Sequence, residues 1–431
     1  MEENNSKIGL ALSGGGYRAA AYHIGTLRKL RELKLLDKIE VISSNSGGSI
    51  TGACYSLYHK DYNKFESIIL SGVRKSIIGK LISNPRFFIP VLFMIFYLAF
   101  SGFILFTKSA WLNIILIPIF ILSIGFAQFE ILPISRIIEK IYNKIFFNDK
   151  TLKNFSESFK TTINSTNLET GRVFYFSREK MNDSKYEFSK DSIEFLNQEF
   201  PIARAVMASS CVPFAFTPVK INPVFFKNIA HSKIAKPRLV DGGIYDNQGI
   251  HKLSFPKSSS FCKIVIVSDA GNELPFKHTY KNIIPLLIRT SDVFMARIKN
   301  FQMMDNLYTK AFAKNSIVAY QSLGFDLENS LSEFIDMLKK GYIENSVITA
   351  HNINQDDIIN KKWDAIADQL KEQLKIDDIL KKGCSQQELL VARSVKTNLT
   401  SLKDNQVNAL IKHAENITEL NVKLFCPQIL N

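Results

Sequence analysis

Three short stretches of this 431-residue chain hold residue types that could do chemistry together. The first is Ser44-Asn45-Ser46-Gly47-Gly48. A serine hydroxyl is a weak nucleophile until a neighbouring base takes its proton. Small neighbours permit the sharp strand-to-helix turn that thrusts such a hydroxyl outward, in the usual pattern Gly-x-Ser-x-Gly. Here Ser44 stands in the first glycine's place. Taken alone, the stretch also fits a plain helix N-cap, where serine is common. The second stretch is Asp241-Gly242-Gly243, just after Leu239-Val240. A carboxylate there could accept a proton, or could simply close an Asx turn. The third is Ser13-Gly14-Gly15-Gly16-Tyr17-Arg18. Amides at a helix start lack helical acceptors and can hold an anion, aided by the helix dipole. That anion could be a phosphate or a reaction oxyanion.

These groups act only if the chain positions them. Ile8 to Leu12 is a short apolar run, the glycine turn follows, and Tyr17 to Leu36 has the helical spacing of Ala, Ile and Leu. Ile39 to Ser43 reads as a second strand, Asn45 to Gly48 as its turn, and Ser49 onward as a helix. Two consecutive strand–turn–helix units predict an α/β fold with a central, mostly parallel sheet flanked by helices. Further strands are expected at 161–164, 172–176 and 263–267, and a helix over Ile202 to Ser210. Asn282 to Lys314 and Asp356 to Lys423 read as mostly amphipathic helix. The expected division is a catalytic domain over 7–275 and a mostly helical C-terminal region over 276–431 that packs on it.

The middle of the catalytic part breaks this rhythm. Phe87 to Phe106 and Ser109 to Ala127 are nearly all apolar and uncharged, with only Thr107-Lys108 between them. Each approaches the ~20 residues that cross a hydrocarbon core as a helix. So short a break predicts an inserted two-helix transmembrane hairpin over 87–127. Pro90 and Pro118 fall inside the runs, where membrane helices tolerate them. The outer flanks are basic: Arg74, Lys75, Lys80 and Arg86 before, Arg136, Lys140 and Lys144 after. The excess of positive charge on that side puts the catalytic part and both termini in the cytoplasm. A hairpin that dips into one leaflet, or one buried in a soluble core, is the competing reading.

Net charge is +14, which suits an anionic surface without choosing between nucleic acid and acidic lipid. Lysine, asparagine and isoleucine are abundant throughout, so charge is a weak clue here. The five cysteines are an odd number without paired spacing, which argues against a disulfide framework and a structural zinc site. No metal and no cofactor are expected. The polar stretch Met1 to Lys7 lacks the apolar core of a signal peptide. Gly14-x-Gly16-x-x-Ala19 approximates a dinucleotide fingerprint, but the acidic residue at the right distance, Glu40, sits inside a strand and not at its end.

Taken as an ordered set, the motifs resemble the patatin-like phospholipase family. The set is Gly14-Gly15-Gly16-Tyr17-Arg18, then Ser44-Asn45-Ser46-Gly47-Gly48, then Asp241-Gly242-Gly243-Ile244-Tyr245-Asp246-Asn247. Ala208 to Val219, Arg393 to Leu399 and Leu410 to His413 add to it. The inserted hairpin is not part of the family core. The resemblance implies a lipid acyl hydrolase of phospholipase A type, working through an acyl-serine intermediate. It implies Ser46 as nucleophile, Asp241 as base, and the Gly14, Gly15 and Gly16 amides as oxyanion hole. Arg18, Gly48, Gly242 and Gly243 are expected in support. The expected partners are phospholipid substrate and the bilayer, with no nucleic acid and with oligomerisation left open. Two rivals stand beside it. One is a Ser–His–Asp triad using His251, His278 or His413, with His23 reserved for packing. The other is a catalytically silent membrane scaffold or sensor, motivated by Ser44.

Overall fold

The computed structural model describes residues 7–272, 274, 281–305 and 316–430. Its sheet contains β1 (Ile8–Leu12), β2 (Val41–Asn45), β3 (Lys160–Asn167), β4 (Arg172–Phe176), β5 (Met181–Asp183), β6 (Val219–Lys220), β7 (Arg238–Val240), β8 (Ile264–Asp269) and β9 (Ile317–Ser322). The main order is β5-β4-β3-β2-β1-β8-β9, with β7 also pairing β3, and β6 pairing β7. Pairs β3–β2–β1–β8–β9 are parallel, while β4, β5, β6 and β7 join antiparallel. Strands β1, β2 and β8 are buried along their whole length, as expected when helices cover both faces of a parallel sheet. The expected α/β architecture with a helical C-terminus is therefore observed.

One pairing decides where the candidate residues go. The last residue of β2, Asn45, lies beside Asn164 of β3. Beyond that point β3 continues, and its Thr166 pairs with Val240 of β7. So β2 and β7 lie along the same edge of β3, one running up and the other down. Their ends point at each other, and Ser46 and Asp241 are the next residues on each.

Helix Gly16–Glu32 packs on the long C-terminal helix Asp404–Phe425. Gly25 permits the close approach: a Cβ there would sit 2.3 Å from the Ile411 carbonyl oxygen. β9 comes from the region expected to be mostly helical, and it extends the sheet beside β8, so the sheet draws on both expected parts. Of the expected helix over Asn282 to Lys314, the described portion runs from Ile283 to Met303, and 306–315 lie outside the described residues.

The apolar insertion forms helices Pro85–Ile104 and Asn113–Ile131, joined through a 3₁₀ turn at Ala110–Leu112. The expected ends shift because caps, not apolarity, set them. The Asn84 side chain accepts from Arg86 N at 3.0 Å, with Pro85 in the first turn. The two helices meet through the Tyr97 hydroxyl on the Leu116 carbonyl (2.9 Å) and through Tyr97 stacked on Phe120. Elsewhere most of their apolar side chains face outward: Phe93 is 65% exposed and Phe126 85%. They are thus not core helices of the described fold.

Candidate active site

The backbone at Asn45 is extended (φ −128°), and at Ser46 it flips to φ +47°, where a helix begins. A non-glycine residue in the left-handed region is strained by ~1–3 kcal/mol, so the surroundings must hold it. They do. Ser46 N donates to Ser209 Oγ at 2.8 Å, and Ser209 Oγ also meets Ser49 Oγ at 2.9 Å. Gly47 and Gly48 let the glycine loop press against this turn. A Cβ on Gly47 would lie 2.1 Å from the Gly16 carbonyl oxygen, and one on Gly48 would lie 2.5 Å from those of Leu12 and Ser13. Gly47→Ala is accordingly expected to destabilise the fold by ~3 kcal/mol, because backbone blocks the methyl and cannot yield. Thermal melting checks this; an unchanged midpoint would show that the two loops are not in register.

Ser44 departs from the usual glycine without disturbing the turn. Its hydroxyl donates to the Thr162 carbonyl at 3.1 Å and faces Gly52, where a Cβ would lie 3.2 Å away. Gly52 makes the space that Ser44 fills, which removes the motive for the silent-scaffold reading.

Asp241 is equally fixed. Its N–H donates to the Cys211 carbonyl (2.8 Å), and its carbonyl accepts from Thr166 Oγ1 (2.9 Å). Its Oδ1 accepts from Gly243 N at 2.7 Å, and the Ser46 hydroxyl lies near enough to hold its carboxyl down. The facing ends of β2 and β7 thus bring Ser46 and Asp241 to one corner. Burial pushes the Asp241 carboxyl up to about 6, and the Gly243 and Ser46 donors hold it from going further. Gly242 has no room for a side chain, since a Cβ would come within 2.6 Å of the Asn164 carbonyl oxygen. The following turn is closed by Asp246, whose carboxylate takes the amides of Gln248, Gly249 and His251.

The glycine loop lies across the same corner. Gly14 N donates to the Asn247 carbonyl at 2.9 Å, so this amide is committed. Of the three amides expected as oxyanion donors, those of Gly15 (φ +144°) and Gly16 (φ +59°) make no hydrogen bond among the described residues. Gly14 instead supplies space, its Cβ position lying 3.1 Å from Ser46 Cβ. Arg18 is half-buried beneath the loop and donates to the Val395 carbonyl at 3.2 Å, while Tyr17 N donates to that of Asn398 at 2.9 Å. The 395–398 segment thereby clamps the loop from behind.

The histidines are placed elsewhere. His23 bonds Ser268 Oγ (2.8 Å) and the Ser13 carbonyl (3.0 Å), and burial holds its imidazole down at about 4. His413 packs by Tyr22, also held at about 4 by burial. The His251 ring lies between Tyr245 and Phe255, and His278 falls outside the described residues. Among the described residues no group of three His, Cys, Asp or Glu could hold a metal ion. Sequence reasoning missed Ser209 and Asn247 as parts of this corner, although both fall in stretches that carried the family resemblance. A cavity of about 610 Å³ opens beyond the Asp241 turn, between Tyr245, Ile250 and His251 on one side and Phe294, Ile298 and Phe301 on the other. It does not reach Ser46 or Asp241, which are only 7% and 5% exposed.

Residues 10–253 match the model of the family described as patatin-like phospholipase. Among solved structures, the chain is similar to VipD from Legionella pneumophila, at 13% identity and a TM-score of 0.33, covering 97% of this chain and 86% of that one. It is also similar to human GIVD cytosolic phospholipase A2, at 13% identity and a TM-score of 0.48, over all of this chain but 63% of that one. This chain thus spans less than two thirds of the human enzyme's length. No curated protein matches the sequence at a significant level. The assignment rests on the family match, which spans more than half of the sequence: the chain belongs to the patatin-like phospholipases, a family of lipid acyl hydrolases.

Proposed function

We propose that the protein is a membrane-anchored phospholipase A-type enzyme that cleaves fatty-acyl esters through an acyl-Ser46 intermediate. The observation that carries this reading is the placement of Ser46 and Asp241 at the facing ends of β2 and β7, beside the unbonded amides of Gly15 and Gly16. Ser46 Oγ attacks the ester carbonyl carbon as its proton passes to the Asp241 carboxylate. The Gly15 and Gly16 amides take the developing oxyanion, and loss of one such donor typically costs ~10²–10³ in rate. Collapse breaks the acyl–oxygen bond, and the lysolipid alkoxide leaves with the proton from Asp241. Water, deprotonated by Asp241, then attacks the acyl-serine and releases fatty acid. A carboxyl near 6 is basic enough for this role at neutral pH yet remains ionised.

Substrate must reach a covered dyad. Helix Ile283–Met303 lies on the Asp241 turn, with Met295 Cε 3.0 Å from a Cβ position on Gly243. Lys299 of the same helix pairs with buried Asp269 at 2.6 Å. This helix is the element that moves to admit lipid. The catalytic domain spans 7–275, and the mostly helical 276–431 region packs on it and supplies that cover.

The hairpin is read as a two-helix membrane anchor. A helix of 20 residues is ~30 Å long, the thickness of a hydrocarbon core. The basic flanks keep the catalytic part and both termini on the cytoplasmic side. Helix Ile134–Tyr142, next after the hairpin, bridges to the dyad: Ser135 Oγ donates to the Thr217 carbonyl and Tyr142 OH meets Ser210 Oγ at 3.2 Å. The anchor thus holds the site against its two-dimensional substrate, which raises the local lipid concentration. The test is fatty-acid release from phospholipid vesicles by the purified chain. An Ile95→Asp/Ile117→Asp variant, at ~2.5–3.5 kcal/mol per buried charge, is expected to leave the membrane fraction. It should lose vesicle hydrolysis at least tenfold while keeping hydrolysis of a soluble short-chain ester. Equal vesicle activity in that variant would refute the anchor.

A further inference from the structure

At the foot of the hairpin lies a second cavity, of about 220 Å³, that the dyad does not use. Its chemistry-bearing lining is Glu130, Arg136, Glu139, Arg204, Thr217 and Lys220. Glu130 stands in the last turn of the second apolar helix, and Arg136 in the first turn of the helix that follows. If the hairpin spans the bilayer, this cavity sits at the level of the headgroups.

Its donors exceed its acceptors. Glu139 is already engaged by Arg204 Nη1 at 3.1 Å. Arg204 Nη2 donates to the Lys220 carbonyl, and its Nε is buried with no hydrogen bond among the described residues. Lys220 Nζ makes only a loose ion pair with Glu130, at 3.9 Å and beyond hydrogen-bond reach. Arg136 forms no ion pair among the described residues. Three cationic side chains thus face a cavity with donor capacity to spare. A phosphate oxygen is the acceptor that guanidinium groups match best, with two parallel bonds from one fork.

The cavity is also coupled to the dyad. Thr217 lines it, and Thr217 Oγ1 donates to the Leu132 carbonyl at 3.3 Å. The Thr217 carbonyl takes the Ser135 hydroxyl and the Cys211 thiol. Cys211 in turn accepts the Asp241 amide. We infer that this cavity binds the phosphate of an anionic phospholipid, fixing the root of the hairpin, and with it the Ser46–Asp241 corner, at the membrane surface. The inference rests on the membrane-inserted reading of the hairpin given above.

The experiment uses the full chain in phosphatidylcholine proteoliposomes with an ether-linked, photoactivatable phosphatidylglycerol, which an acyl hydrolase cannot cleave. Cross-links are mapped by mass spectrometry. They are expected on 129–136 and 217–220, and to fall at least ~fivefold in Arg136→Gln/Lys220→Gln, since each basic residue at a membrane surface contributes on the order of 1 kcal/mol. Soluble-ester hydrolysis by that variant should match wild type, because neither residue belongs to the dyad or its amides. Labelling of these segments that is unchanged in the variant, or equal with a phosphatidylcholine probe, overturns the inference. Displacement by soluble glycerol phosphate would assign the site to free phosphate esters and overturn its lipid source. Extraction of the wild-type chain by alkaline carbonate would instead overturn the membrane reading itself, and this site with it.

Discussion

Ser46→Ala and Asp241→Asn are each expected to lower fatty-acid release on the order of 10⁴-fold or more, with folding and membrane association retained. The size follows from how little else could stand in. In the proposed mechanism Asp241 both takes the proton of the Ser46 hydroxyl and returns it to the leaving group. Removal of either member stops the same step, so the double variant should lose no more than the worse single one. Residual activity would come from the Gly15 and Gly16 amides acting on bound substrate with water as nucleophile. Stability separates this loss from misfolding. Ser46 sits at φ +47°, and that strain is retained by alanine but relieved by glycine. Ser46→Gly is therefore expected to be inactive yet ~1 kcal/mol more stable, read by chemical denaturation.

Activity is expected to rise with pH through about 6 and then level off, following deprotonation of Asp241. Stability should run the other way over the same window. Burial raises the Asp241 carboxyl from 3.8 to about 6, so the folded state binds this proton more tightly than the unfolded chain does. That contribution is fully present below about 4 and is lost as pH climbs through about 6. Asp246 has the same sign, raised to about 6 by burial against the pull of the His251, Gly249 and Gln248 amides. For Asp241 the gap corresponds to about 3 kcal/mol of destabilisation at pH 8. Asp241→Asn removes the buried charge while Gly243 N keeps an acceptor. It should melt higher than wild type at pH 8 and gain little at pH 4. An inactive variant more stable than its parent marks a residue held for chemistry. A lower melting point at pH 8 would instead make Asp241 a structural carboxylate.

What could be read from sequence was local. Ile8 to Leu12 and Ile39 to Ser43 announce strands because apolar runs end at glycine-rich turns, and both turns fall where they were expected. Why Ser46 and Asp241 meet was not legible. It depends on β3 outrunning β2 and pairing with the short β7, a register that no local pattern encodes. β9 escaped notice because its run Ile317 to Ser322 ends in polar residues that are buried only through distant partners. Gln321, for example, bonds Thr26 and Thr418. The fate of the Gly14 amide was equally hidden, since its acceptor belongs to Asn247, far along the chain. The fit of Ser44 was hidden as well, since the space for it comes from Gly52, six residues past Ser46.

The most direct test is covalent labelling of the membrane-reconstituted chain with a fluorophosphonate, followed by peptide mapping. One phosphonyl adduct on Ser46 is expected, absent in Ser46→Ala and formed far more slowly in Asp241→Asn. An adduct on another residue, or undiminished labelling in either variant, would contradict a nucleophile at Ser46 driven by Asp241.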